Sequence, residues 1–155
     1  MCQCTPSIRT PFCGKGDCKW PKESELISTT YQPRSKTTFS RRLVKPTDLN
    51  PAQTLFGGTM MAWIDEEAAI YAMCKLKSRN VVTAHIGEIN FTAPAYSGDV
   101  VQFDSEVVKY GKSSITTKMT VTNKLNGEVI CDIGKMVFVH VDPTTKKATP
   151  HGISK

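Results

Sequence analysis

The longest hydrophobic segment of the chain covers residues 59–76 and reads TMMAWIDEEAAIYAMCKL. It contains no glycine or proline and is rich in alanine, methionine and glutamate. These residues favour helices, so we predict a helix of roughly five turns here. The apolar residues fall on nearly every face of that helix, which predicts that it is buried on most sides.

The rest of the hydrophobic pattern predicts strands. Residues 37–44 form a first strand, ahead of a loop that contains two prolines and two glycines. Beyond residue 80 the chain is rich in β-branched residues, and turns that contain glycine divide it into VVTAHIGEINF, VVQFDSEVVKY, SSITTKMTVTN and EVICDIGKMVFVHV. Short strands that alternate with such turns are typical of an antiparallel meander.

The predicted order is therefore one strand, one long helix and four strands. A single helix covers a five-stranded sheet only if the sheet curls around it, so we predict an α+β fold with an antiparallel sheet wrapped around a long central helix. This domain spans residues 37–142. Residues 1–36 hold four of the nine prolines and four of the six cysteines, and we interpret them as an extension. Residues 143–155 form a polar tail that we expect to be loose.

Composition limits the class of protein. A chain of 155 residues, 39% of them hydrophobic, is the size and composition of one globular domain. No apolar run is long enough to span a bilayer and the first residues lack a signal-peptide core, so we expect a cytoplasmic protein with no membrane partner. The net charge of +6 suits an anionic partner. The basic residues are scattered and the RNA-binding sheet motif is absent, so nucleic acid is not the partner we expect.

The cysteines are unevenly distributed. Cys2, Cys4, Cys13 and Cys18 crowd the first residues, where they are either four thiolate ligands of a structural zinc ion or free thiols on an extended arm. Cys74 and Cys131 lie in apolar segments, and we expect both to be ordinary core residues.

Asp65 is the first residue that suggests chemistry. It lies inside the predicted helix among apolar neighbours at helical spacing, where an unpaired carboxylate is costly to bury. One interpretation is a functional carboxylate. The other is that Asp65, Glu66 and Glu67 together form the one solvated edge of the helix.

Gly57 and Gly58 come where the helix starts. Backbone amides at a helix N-terminus stabilise negative charge and are open to a close ligand when glycine supplies them, which is what an oxyanion hole requires. The alternative is that the glycines only allow a tight turn. Asn50 lies in the preceding loop, where it either shapes the turn or offers its amide to a carbonyl.

These residues carry a resemblance. Residues 50–69, NPAQTLFGGTMMAWIDEEAA, resemble the signature of hotdog-fold acyl-CoA thioesterases, in which an Asn precedes Gly-Gly and an acidic residue follows eight positions after the first glycine. Residues 81–101, VVTAHIGEINFTAPAYSGDVV, are similar to a later strand of that family. The resemblance covers residues 38–142. It implies the hotdog fold and hydrolysis of a fatty or short acyl-CoA to free acid and CoA, with CoA present only as part of substrate and product.

The resemblance also implies roles for individual residues. Asp65 would be the general base or the nucleophile, the Gly57 and Gly58 amides would hold the oxyanion with Asn50 assisting, and Thr83 would support the carboxylate. In this family the carboxylate and the amides face each other across a subunit interface, so we expect a homodimer or a trimer of dimers. The chain departs from the family pattern at Ala52-Gln53 and at Phe56, where some members have His.

CoA carries phosphates, which gives the positive charge a use. In relatives the turn between the third and fourth strands lies near the nucleotide, and here that turn contains Lys109, Lys112 and Ser113. Arg79 and Lys135 are further candidates for binding CoA. Each of these is alternatively an ordinary exposed residue.

Two other functions are compatible with the same fold. A module that binds and senses acyl-CoA keeps the pocket but does not require the Asp, so Asp65 favours catalysis. A hotdog dehydratase requires a His near the helix start, and residues 37–84 contain none. A serine-hydrolase elbow of the type G-x-S-x-G is also absent.

Overall fold

The computed structural model describes residues 38–153. They form one long helix, α1, and six strands, β1 to β6, with a single 3-10 turn at Pro46–Asp48. The bounds are β1 Thr38–Leu43, α1 Gly57–Leu76, β2 Val81–Ile86, β3 Asn90–Phe91, β4 Val100–Tyr110, β5 Ser114–Asn123 and β6 Val129–His140. The predicted helix is correct in kind and begins two residues later than the observed one.

The strands form one antiparallel sheet in the order β1-β4-β5-β6-β2, and the short β3 pairs with β6 beside β2. Strands β4, β5 and β6 are the predicted meander. The first predicted strand of that meander is wrong in two respects: it breaks into β2 and β3 at Gly87, and it pairs with β6 instead of β4. The reason is that the chain crosses the sheet through α1, so β1 and β2 end at opposite edges.

Helix α1 packs against β2, β4, β5 and β6 through one stripe of side chains. The buried residues of α1 recur at helical spacing and are Met60, Ile64, Ala68, Tyr71, Ala72 and Leu76. On the sheet, Phe103, Ile115, Met119 and Phe138 are fully buried beneath them. This layer is the core, and the arrangement is the hotdog architecture expected from the sequence.

The prediction that α1 is buried on most sides is not met within one chain. Met61 and Ile70 are 48% and 46% exposed, because the sheet of one chain covers only one side of the helix.

Cys74 is exposed as well, contrary to expectation, whereas Cys131 is buried in β6. Burial raises the pKa of the Cys131 thiol to about 11. Within residues 38–153, no helix has the length and hydropathy that a membrane span requires.

Residues 143–153 are not the loose tail that their composition suggested. The chain turns back after β6, and Ala148 forms a bridge with Val141. The Thr149 amide then donates to the His140 carbonyl at 2.9 Å, and Ile153 packs against the hydrophobic core. Backbone hydrogen bonds, the side chains of His140 and His151 and the packing of Ile153 therefore hold a segment that is mostly polar.

Candidate active site

Asp65 lies half-buried on the side of α1 that faces β2. The Thr83 hydroxyl donates a hydrogen bond of 2.8 Å to Asp65 Oδ1. Thr83 belongs to β2, where the pairing with β6 shifts register between Thr83 and His85. Because β2 is an edge strand of the sheet, the Asp65–Thr83 pair lies at an open edge of the subunit. Sequence and structure therefore agree in bringing these two residues together.

The two carboxylates that follow Asp65 face the opposite way. Arg42 of β1 binds Glu66 at 2.6 Å and Glu67 at 2.9 Å, and its guanidinium lies 5.6 Å from the Trp63 ring centre. Partial burial acts to lower the pKa of Arg42, but its hydrogen bonds to Glu67 and Glu66 raise it above its usual value. The three consecutive acidic residues do not form one solvated edge, because Asp65 is held by β2 and the other two by β1.

Helix α1 begins at Gly57 without a side-chain cap, since Phe56 occupies the capping position. The amides of the first helical turn have no acceptor within the helix. A Cβ atom at Gly57 would meet no atom of residues 38–153 within 4 Å, whereas one at Gly58 would lie 2.6 Å from Cε1 of Phe56. Gly57 opens onto a cleft of about 280 Å³, whose walls are the start of α1, residues 91–95 and Ile130.

Asn50 is fixed in the loop before the helix. Its Nδ2 donates to Thr54 Oγ1 at 2.9 Å, and its Oδ1 accepts the Thr54 amide at 3.2 Å. An amide nitrogen carries two donors, and among residues 38–153 the second N–H of Asn50 has no acceptor, which leaves it available for a ligand. Thr54 is a residue that the sequence interpretation missed, and its spacing of four residues from Asn50 is the only signal that could have indicated it.

Asp65 and the glycine amides are far apart within one chain. Asp65 follows Gly57 by eight residues on the same helix, which corresponds to roughly 12 Å along the axis. Groups that act on one carbonyl each need to be within hydrogen-bond distance of it. A single subunit therefore does not bring its own Asp65 and its own helix N-terminus to the same substrate atom.

Four of the five candidate CoA-binding residues lie at one end of the sheet, where α1 finishes. Asn80, next to Arg79, accepts the amide of Val141 at 2.9 Å, and Ser113, next to Lys112, accepts the amide of His140 at 2.8 Å. The end of β6 thus joins the α1–β2 loop to the β4–β5 turn. Lys109 lies near the end of β4, next to that turn. Arg79, Lys109 and Lys112 are exposed and form no ion pair with any residue from 38 to 153.

Lys135 is the exception. It is exposed on β6, beside Gly87, whose amide donates to the Lys135 carbonyl at 2.9 Å. Five residues of strand separate it from His140, roughly 16 Å at the usual rise. The structure therefore does not group Lys135 with Arg79, Lys112 and Ser113 at the end of β6.

Comparison with known proteins decides the family. The sequence profile of the thioesterase superfamily matches residues 52–130, which include the helix N-terminus, Asp65 and Thr83. The chain belongs to the thioesterase superfamily. An uncharacterized acyl-CoA thioester hydrolase of Haemophilus influenzae is 37% identical to it over 81 residues, and this match spans 52% of each protein. The chain therefore aligns with about half the length of that relative.

Solved structures of this superfamily extend the match. An acyl-CoA hydrolase from Staphylococcus aureus, in complex with butyryl-CoA, CoA and CoA disulfide, is 32% identical, with a TM-score of 0.65 over 74% of this chain and 68% of that one. A hexameric thioesterase from Yersinia pestis is 31% identical, with a TM-score of 0.65 over 75% of this chain and 93% of that one. The hotdog fold predicted from the sequence is thereby confirmed.

The predicted zinc ligands Cys2, Cys4, Cys13 and Cys18 lie outside the described residues. Among residues 38–153, no group of three His, Cys, Asp or Glu side chains is placed to hold a metal ion. Zinc binding by the extension stays a prediction.

Proposed function

We propose that this chain is an acyl-CoA thioester hydrolase that releases a free carboxylic acid and CoA. The observation that carries the proposal is the hydrogen bond from Thr83 to Asp65 at an open edge of the subunit. It orients a carboxylate in a position where a substrate bound between subunits can reach it. Membership of the thioesterase superfamily, and a Staphylococcus aureus relative solved with butyryl-CoA and CoA, support the choice of substrate.

Asp65 acts as general base toward a water molecule that attacks the thioester carbonyl and displaces CoA. Alternatively, Asp65 is the nucleophile: it displaces CoA and forms an acyl anhydride, which water then hydrolyses to the free acid. Thr83 occupies Oδ1, so Oδ2 is the oxygen left for the reaction. Both routes need an ionised carboxylate close to the carbonyl carbon and a donor for the oxyanion that forms. The Gly57 and Gly58 amides supply that donor, with the remaining N–H of Asn50 assisting.

The active site is shared between two chains. The separation of roughly 12 Å between Gly57 and Asp65 within one helix prevents both from acting on one carbonyl. A second copy that places its helix N-terminus against the first copy's Asp65 removes this difficulty. The apolar side chains that α1 leaves exposed, Met61 and Ile70, give such an association a driving force. The assembly is a homodimer or a trimer of dimers, and the hexameric Yersinia pestis relative is in keeping with the latter.

Arg79, Lys109, Lys112 and Ser113 bind the phosphates of CoA. Two observations support this role. The four residues lie around the end of β6, and the three cations have no ion-pair partner among residues 38–153. Lys135 lies roughly 16 Å along β6 from the end of the strand, where Arg79, Lys112 and Ser113 lie, so any contact that it makes with CoA is to a different part of the molecule.

The Staphylococcus aureus hydrolase offers a parallel for the choice of residues. It has been solved with an Asp, an Asn and a Thr each replaced by alanine. The replaced Asn and Asp are separated by the same number of residues as Asn50 and Asp65.

We also propose a cytoplasmic location, since both described cysteines are free thiols, as is usual in a reducing compartment.

Release of CoA thiol from a series of acyl-CoAs, from acetyl to palmitoyl, tests the proposal. The Asp65→Asn variant keeps the shape of the side chain but loses the base, so we expect kcat to fall by about two orders of magnitude, with little change in substrate binding. Glu66→Gln is the matched control one residue along the helix, and it should keep nearly full activity. If Asp65→Asn hydrolyses acyl-CoA at the parent rate, the mechanism is wrong and a non-catalytic acyl-CoA-binding module becomes the better account.

A further inference from the structure

The C-terminal segment 149–153, which we call the strap, contacts the β4–β5 turn. His151 Nε2 lies 2.8 Å from the Gly111 carbonyl, and the His151 amide donates to the Lys112 carbonyl at 3.3 Å. His151 Nδ1 accepts the Ile153 amide at 3.1 Å, so Nε2 carries the proton and donates to Gly111. The Tyr110 ring packs edge-on against the imidazole, with centres 6.1 Å apart.

The strap also reaches the α1–β2 loop through His140. His140 Nδ1 lies 3.0 Å from the Thr149 carbonyl, which can only accept, so Nδ1 is the donor. His140 Nε2 lies 3.1 Å from the Ser78 hydroxyl, which in turn accepts the Asn80 amide at 3.2 Å. Two half-buried histidines, each with both ring nitrogens hydrogen-bonded, thereby tie the strap to both loops.

Each loop fixed in this way carries a candidate phosphate ligand. Ser78 precedes Arg79, and Gly111 precedes Lys112, so each contact is one residue from an exposed cation. With β6 between them, the two loops are about two strand spacings apart, roughly 10 Å. Long cationic side chains lose conformational entropy when they bind a ligand. If the backbone that carries them is already fixed, the total loss of entropy on binding is smaller.

We propose that the strap positions the two loops for the nucleotide end of CoA, with His151 as the main positioning residue. This inference rests on the proposed function. Neither His140 nor His151 contacts the Asp65–Thr83 pair, so the strap affects how tightly CoA is held and leaves the chemical step alone. It should matter for substrates that carry the nucleotide and not for those that lack it.

The test compares His151→Ala with the parent enzyme on two thioesters of the same acid, one of CoA and one of N-acetylcysteamine, which has no nucleotide. We expect KM for the CoA ester to rise about five-fold, in line with the loss of one or two hydrogen bonds, with kcat nearly unchanged. The value of kcat/KM for the N-acetylcysteamine ester should stay the same. His151→Gln retains a donor that can reach the Gly111 carbonyl, so it should recover part of the loss.

Thr144→Ala is the matched control, because Thr144 is an exposed residue of the same tail and its only hydrogen bond within residues 38–153 is made by its backbone amide. It should leave both substrates unaffected. Calorimetric titration with CoA alone measures the same effect without hydrolysis, and His151→Ala should weaken this binding about five-fold too. An equal loss on both esters, or no change in CoA affinity, would overturn the role of the strap. A parent enzyme that binds CoA without hydrolysing it would contradict only the proposed function.

Discussion

At the scale of single residues, the three consecutive acids of α1 show how position determines role. Asp65 accepts a hydrogen bond from Thr83 on β2, whereas Glu66 and Glu67 bind Arg42 on β1. The sequence indicated that Asp65 was unusual, because its helical neighbours are apolar. The family resemblance implied Thr83 as its partner. Nothing in the sequence indicated that Glu66 and Glu67 bind Arg42, since Arg42 lies on the strand at the opposite edge of the sheet.

Replacement of Thr83 by Val tests the support given to Asp65. The change keeps the β-branched shape and removes the hydroxyl that donates to Oδ1. Loss of one hydrogen bond to a carboxylate raises the activation free energy enough that kcat should fall about ten-fold. KM should change little. Steady-state hydrolysis of one acyl-CoA measures both constants.

Thr120→Val is the matched control for that substitution. Thr120 makes the same kind of bond, 2.6 Å to Asp132, but between β5 and β6, away from α1. Its loss should leave kcat at the parent value. Equal losses of kcat in the two variants would mean that Thr83 only stabilises the fold.

At the scale of elements, Arg42 attaches β1 to the helix. Its ion pairs with Glu66 and Glu67 are partly shielded, since the Arg42 and Glu67 side chains are only 27% and 13% exposed. Arg42→Leu leaves Glu67 without its partner, so we expect the free energy of unfolding to fall by about 1–3 kcal/mol. Chemical denaturation measures this loss.

The exposed pair Lys118–Glu106 provides the comparison, with side chains 52% and 42% exposed. Lys118→Leu should cost less than about 1 kcal/mol, because solvent screens such a pair. If both variants lose the same stability, the shielding of Arg42 is not what makes its ion pairs strong.

The two loops at the end of β6 predict a dependence on salt. Arg79→Ala and Lys112→Ala should each raise KM for acyl-CoA by several-fold with little loss of kcat, because they remove attraction to phosphate. The effect should shrink as ionic strength rises. Lys124→Ala, in the β5–β6 turn, is the control and should behave like the parent; a fall in kcat with KM unchanged would contradict phosphate binding by Arg79 and Lys112.

The elements also show what the sequence could predict. The helix and the β4–β6 meander followed from composition and from turns with glycine, which are local signals. The place of β2 at the far edge did not, because it depends on the path of α1 across the sheet. The sequence also did not predict that residues 149–153 hold a fixed conformation. That conformation depends on hydrogen bonds made by His140 and His151, which join segments distant in sequence.

At the scale of the whole molecule, one subunit is incomplete in two ways. Its helix leaves Met61 and Ile70 exposed, and its Asp65 lies roughly 12 Å from its own glycine amides. Both features are explained if two copies share each active site. The family resemblance implied such sharing from the sequence, and the distance along α1 now supplies a physical reason for it.

Co-expression of two inactive variants, followed by a single measurement of acyl-CoA hydrolysis, tests this sharing most directly. Asp65→Asn removes the carboxylate, and Gly57→Val blocks the amides while its Cβ has room to fit. Half of the randomly formed dimers are hybrids of the two variants. Each hybrid has two sites, and one of them combines an intact Asp65 with an intact Gly57. About a quarter of the parent activity should therefore return. Activity no higher than that of the two variants assayed separately would show that Asp65 and the glycine amides do not meet across a subunit interface.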